Sequence, residues 1–135
     1  MPVPGDYDGN GTADLAVFQP STGLWFIRNQ TTVQWGGPGY IPVPGDYDGD
    51  GDTDLAVYQP STGTWFIRGQ GAIQWGGPDY LPVPGDYDGD GDTDLAVWHK
   101  LTGVWFIRGQ GNTIWGRDGQ GYDPLEWPTW FAYHP

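Results

Sequence analysis

Apolar residues occupy both parities along the short β-favouring runs of this chain. Leu55 and Val57 alternate with Ala56 and Tyr58, and Trp65 and Ile67 flank Phe66. A sheet with water on one side would alternate apolar and polar positions, so both faces of these runs must be covered. Turn residues punctuate the runs: Pro60-Ser-Thr-Gly63, then Gly69-Gln-Gly71, then Gly76-Gly-Pro78. The pattern predicts strands at 41–45 (equivalent to 81–85), 55–59, 64–68 and 72–75. No window carries a helical period with caps, and 24 Gly with 13 Pro would break one repeatedly. The class is all-β.

The pattern recurs every forty residues: Val3, Val43, Val83; Trp25, Trp65, Trp105; Trp35, Trp75, Trp115. A repeat of that length means stacked supersecondary units. Four-stranded sheets of about forty residues, covered on both faces by their neighbours, are propeller blades. The expected fold is therefore a β-propeller-type array of three four-stranded blades, at 1–40, 41–80 and 81–116. Residues 117–135 form an aromatic C-terminal cap or interface segment. Pro42, Pro44, Pro82 and Pro84 suit an inner strand with one unpaired side. Three blades make an incomplete ring, whose apolar outer faces should drive self-association into a closed ring or a filament.

Between the first two strands of each unit lies an acidic loop. Residues 46–54 read Asp-Tyr-Asp-Gly-Asp-Gly-Asp-Thr-Asp; the same string stands at 86–94 and an altered one at 6–14. Five carboxylates in nine residues repel one another, and a hard cation taking six to eight oxygen ligands turns that repulsion into binding. Asp46, Asp48 and Asp50 point inward, the main-chain carbonyl of Asp52 adds an oxygen, and Asp54 closes the site. Asp86, Asp88, Asp90, Asp92 and Asp94 repeat the set, and Asp6, Asp8, Asn10, Thr12 and Asp14 form its first version. Asn10 keeps an oxygen but loses a charge, which makes the first site the weakest. An EF-hand would need a bidentate Glu at position 12 and an exiting helix. Position 12 here is Val17, Val57 or Val97, in a strand-favouring run. The competing reading, a solvated acidic turn, meets three copies in one register. The expected cofactor is Ca²⁺, about one per repeat. Mg²⁺ dehydrates reluctantly and rarely uses an all-protein cage.

The string from Gly45 to Tyr58 resembles the FG-GAP/VCBS repeat of integrin-like propellers, in all three copies and over residues 2 to about 116. The resemblance implies Ca²⁺ held by an Asp-x-Asp-x-Asp-Gly-x-x-Asp loop between the first two strands of a blade. Such propellers usually close with about seven blades, more than this chain supplies.

Net charge is −12, and thirteen of the seventeen acidic residues sit in the three loops. Bound calcium would neutralise much of it. That balance argues against nucleic acid and anionic membranes. Nor does any apolar run approach the ~18 residues of a membrane span. There is no cysteine, which excludes disulfides and thiolate metal sites. Met1 leads straight into Pro-Val-Pro-Gly with no signal peptide. Export would have used a segment not present here, or the chain is an excised part of something longer. The tail after Trp115, being atypical, reads as a true terminal cap.

Catalysis finds no support. His99 and His134 are the sole histidines, no nucleophile-elbow or zincin motif appears, and the loop carboxylates are committed to metal. Asp79, Asp118, Asp123 and Glu126 are left without a recognisable pairing. Trp25, Trp65 and Trp105 with Arg28, Arg68 and Arg108 suggest either a sugar platform or inter-blade packing, with packing the better fit mid-strand. Trp35, Trp75 and Trp115, nearer an edge, are the better glycan-binding candidates against core filling. Trp127, Trp130, Phe131 and Tyr133 are candidate interface residues. Asn29 matches a glycosylation acceptor in a predicted turn. The expected function is a non-catalytic, Ca²⁺-stabilised module for adhesion or self-assembly at a cell surface or outside it. The alternatives are a multivalent lectin and an accessory fragment of a larger secreted protein or enzyme.

Overall fold

The computed structural model describes residues 1–114. Trp115, Trp127, Trp130, Phe131, Tyr133, His134 and the whole 117–135 segment lie outside the described residues.

Eleven strands and no helix are found among the described residues, arranged as three antiparallel sheets. The second repeat shows the unit best. β4 (Ile41–Pro42), β5 (Ala56–Gln59), β6 (Thr64–Ile67) and β7 (Gly71–Gln74) follow one another in space as in sequence. The third repeat has the same up-and-down order in β8 (Tyr80–Pro82), β9 (Ala96–His99), β10 (Val104–Ile107) and β11 (Thr113–Ile114). In the first repeat β1 (Ala16–Gln19), β2 (Leu24–Ile27) and β3 (Val33–Gln34) make three strands, where four were expected. The missing innermost strand is reduced to the bridge Pro2↔Val17. Its hydrogen bonds nevertheless persist: Phe18 N–H donates to Met1 O at 2.8 Å and Val3 N–H to Ala16 O at 2.9 Å. A strand needs consecutive paired residues, and Pro2 and Pro4 have no N–H to donate, so the pairing rests on Met1 and Val3.

The innermost strands are also shorter than expected, ending at Pro42 and Pro82. Beyond them the pairing resumes as the single bridges Gly45↔Asp54 and Gly85↔Asp94, which pin both ends of each acidic loop. The predicted turns hold the other ends. Gly63 N–H closes on Gln59 O at 2.8 Å with φ of 70°, a left-handed conformation that disfavours any residue with a Cβ. Where the second and third repeats use Gly69 and Gly109 to enter the next turn, the first uses Asn29, whose φ of 66° falls in the region Asn tolerates best.

The core lies between sheets. One cluster joins Val3, Tyr7, Phe18, Trp25 and Ile27 of the first repeat to Leu55 and Val57 of the second. The next joins Tyr47, Tyr58, Trp65 and Ile67 to Leu95 and Val97 of the third. Each repeat thus offers a socket of aromatic rings on one face and a Leu-Val-Phe plug on the other. This is the physical reason for apolar residues at both parities. Trp25 and Trp65 are fully buried, each packed at an angle against Phe18 or Tyr58 with centroids 5.1 and 5.2 Å apart. The second tryptophan of each repeat crosses the seam: Trp35 Nε1 donates to Phe66 O, and Trp75 Nε1 to Phe106 O, both at 3.0 Å.

A polar lock accompanies the apolar one. Thr53 N–H donates to Asp6 O at 2.8 Å while its Oγ1 accepts from Asp6 N–H at 2.9 Å. Thr93 and Asp46 repeat this at 2.8 and 3.0 Å. The approach is so close that a Cβ on Gly5 would stand 2.8 Å from Thr53 Cγ2. Replacing Thr93 by Val keeps the shape and strands the Asp46 N–H. We expect a loss of about 1 kcal/mol in urea unfolding. A Thr93→Val chain as stable as the parent would show the lock to be ornamental.

Candidate metal centre

Each loop opens at a bridging glycine and returns two residues before the next strand, between bridge partners that fix its width. Its tyrosine does not stay in the loop. Tyr7, Tyr47 and Tyr87 donate their hydroxyls to Val3, Val43 and Val83 O at 2.6, 2.6 and 2.5 Å. The Tyr7 and Tyr47 rings meet Trp25 and Trp65 edge-on at 6.4 Å. Burial, with the carboxylate of Asp14 or Asp54 nearby, pushes these phenols up from their ordinary range. The acidic loop is therefore riveted to the hydrophobic core by its second residue. Sequence reading missed this role, although a Tyr at the same place in all three copies was its signal.

With the tyrosine turned inward, the flanking carboxylates turn out. Oxygens of Asp6, Asp8 and Asp14 lie within 4.8 Å of one another, as do those of Asp46, Asp48 and Asp50 and those of Asp86, Asp88 and Asp90. Ligand oxygens on one Ca²⁺, each about 2.4 Å from it, stand no more than about 5 Å apart. The spacing and the all-oxygen donor set fit that ion. The first residue of the loop is oriented by the backbone. Asp46 Oδ1 accepts from Gly49 and Asp50 N–H at 2.9 and 3.1 Å, and Oδ2 from Gly51 N–H at 2.9 Å. Asp86 repeats the set. The N–H donors, Gly11 and Gly91 foremost, hold the Asp6 and Asp86 carboxyls below the ordinary value. Asn10 Oδ1 takes a bond from Thr12 N–H at 2.9 Å, the place that Asp50 Oδ1 fills for Asp52 N–H. The amide thus preserves the loop's shape while removing one charge.

The last carboxylate behaves differently. Asp54 Oδ2 accepts from Tyr47 N–H at 2.9 Å, but burial and the charges of Asp48, Asp50 and Asp46 push its pKa up to about 6. Burial and neighbouring carboxylates raise Asp48, Asp52, Asp88 and Asp92 as well. Asp52 carries a second message. Its side chain lies against the loop of the preceding repeat, where a Cβ on Gly9 would stand 2.1 Å from Asp52 Oδ1. Asp92 lies likewise over Gly49. Among the charges raising Asp52 are Asp6 and Asp8 of that other loop. The side chain at this position serves the seam, which leaves only the main-chain carbonyl for its own loop.

A pH dependence follows. The folded-state pKa of Asp54 is raised above the unfolded value near 3.9, so in ion-free buffer the native state binds the extra proton between about pH 4 and pH 6. Stability there should fall as pH rises through that window. A cation held by Asp54 would need the same carboxylate ionised, so any stabilisation by calcium should grow with pH over the same interval. Melting curves with and without calcium from pH 4 to 7 should diverge. A constant gap between them would contradict the assignment of Asp54.

The remaining candidates are placed as follows. Trp35 and Trp75 are half-buried, with their indole N–H groups committed to Phe66 and Phe106 O. Trp25 and Trp65 fill the core, and Arg28, Arg68 and Arg108 are exposed. Asn29 is exposed in its turn. His99 ends β9 and holds the turn that follows: its Nδ1 lies 3.0 Å from Thr102 Oγ1, as Gln59 Oε1 lies 2.9 Å from Thr62 Oγ1. No helix of the described residues is long and apolar enough to cross a membrane.

Fold and site together define an all-β tandem array whose repeats each carry an oxygen-rich loop between their first two strands. Within it, residues 38–74 match the family model of the FG-GAP repeat. The curated proteins and solved structures compared with the chain gave no match.

Proposed function

We propose that the chain is a non-catalytic module of propeller-type repeats, stabilised by Ca²⁺ in its three acidic loops, that works in adhesion or assembly outside the cell. One observation carries this reading. The three carboxylate clusters sit at the seams, where Asp52 and Thr53, or Asp92 and Thr93, reach from one loop to the loop before it. Charge at a seam resists stacking, and a bound cation removes that resistance. Calcium would accordingly set both the order of each loop and the packing of repeat on repeat. Extracellular calcium, near millimolar, would keep even modest sites of this kind occupied. FG-GAP repeats are β-propeller units of structural and adhesive kind, and their usual location fits that supply. The test is molecular mass in solution by light scattering, in calcium and in chelator. Larger species confined to calcium are the expected result. A monodisperse monomer in both buffers would remove the assembly role.

A further inference from the structure

We propose that the outer face of the first repeat docks the third repeat of a second copy of this chain, in the register that joins one repeat to the next within the chain. This rests on reading the chain as an assembly module and says which faces meet.

The plug face is covered in two repeats and open in one. Leu55 and Val57 are 8% and 1% exposed, and Leu95 and Val97 are 6% and 1%. Their counterparts Leu15 and Val17 are 65% and 46% exposed, and Phe26 is 41%. The residues are the same, so the surface that covers them internally defines what fits: a socket of Val, Tyr, Trp and Ile. The third repeat carries that socket in Val83, Tyr87, Trp105 and Ile107, with Trp98 where Phe18 and Tyr58 stand. Its rim is open, since Tyr87 is 40% exposed where Tyr7 and Tyr47 are each 7%. Likewise a Cβ on Gly89 would meet no described atom within 4 Å, whereas Gly9 and Gly49 lie under Asp52 and Asp92. The two open ends are thus the two halves of a joint that the chain already makes twice.

The first repeat departs from the others at the two seam positions. Thr12 stands where Asp52 and Asp92 stand, so no carboxylate is pressed onto the Asp86 and Asp88 loop of the other copy. Ala13 stands where Thr53 and Thr93 accept an N–H from the preceding loop, so the joint lacks that hydrogen bond. A contact between chains keeps the apolar seat, sheds a repulsion and gives up one bond. Such a contact is reversible and head-to-tail, and it extends or closes according to its rotation.

Sedimentation velocity of the full chain in calcium, over a range of concentrations, tests this. Val17→Glu should hold the chain monomeric where the parent associates, with the melting temperature of dilute samples unchanged. Ala13→Thr restores the acceptor and should lower the concentration for half-association about three- to tenfold. Val17→Glu chains retain an open third repeat, so a minor fraction added to the parent should shorten its assemblies. Pairing of two first repeats would leave them inert in that mixture, which overturns the proposal. Association that ignores both variants also overturns it while leaving the assembly reading intact. A chain monomeric throughout defeats both.

Discussion

Removing calcium should lower the stability of this chain by about 4–8 kcal/mol, the sum over three loops of roughly 1.4–2.7 kcal/mol each at ten to one hundred times the dissociation constant. That ratio corresponds to about 10 mM calcium and sites of the strength typical of extracellular modules. The basis is the crowding of the carboxylates, within 4.8 Å of one another in each loop, and the raised pKa of Asp54. The crowding gathers more negative charge than separate aspartates in water carry, and burial, ahead of the neighbouring charges, disfavours ionised Asp54. Urea unfolding followed by tryptophan fluorescence, in calcium and then in chelator, measures the difference. Equal midpoints would refute the calcium assignment. The loops should also differ among themselves. Asn10 gives the first loop one charge fewer, so Asn10→Asp should tighten calcium binding there by titration calorimetry, and Asp50→Asn should weaken the second loop.

Truncating Trp65 to Ala should cost about 3–5 kcal/mol, the range for a large aromatic removed from a packed core. Trp65 is fully buried, meets Tyr47 and Tyr58, and donates Nε1 to Trp75 O at 2.8 Å. Its loss opens a cavity and leaves that carbonyl without its donor. It also unseats Tyr47, whose hydroxyl bond to Val43 O anchors the second acidic loop. The melting temperature should fall on the order of 10–20 °C, and calcium affinity at the second loop should drop with it. Trp65→Phe retains most of the volume and should lose less than half as much. A Trp65→Ala chain with both properties near those of the parent would show that loop and core are not coupled.

Much of this was legible in the chain itself. Turn glycines and prolines set the strand order, because few other residues accept the backbone angles those turns require. Strands β5 to β7 fall within a residue of the expected runs. The acidic loops were readable because metal chemistry fixes ligand type and spacing together. Apart from the tyrosine anchors, what escaped were contacts whose two partners lie in different repeats. Trp35 looked like an edge ring with glycan-binding potential, and its bond to Phe66 O spans 31 residues of sequence. Thr53 carried no reading of its own, and Asp52 was expected to give its main-chain carbonyl to its own loop. Only the neighbour's proximity shows them to be a lock and an intruding charge. The shortened inner strand of the first repeat also went unforeseen, since a proline's effect depends on how many partners remain beside it.

The sequence alone therefore determined the repeating unit, its β character and its oxygen-rich corner, because each follows from local backbone limits and from ligand chemistry within nine residues. The tertiary structure decided which face of each repeat meets which, where the tyrosines and tryptophans are spent, and which face is left uncovered at Leu15, Val17 and Phe26. Those are properties of pairs of surfaces, and identical residues in successive repeats acquire different surroundings only when the repeats are stacked.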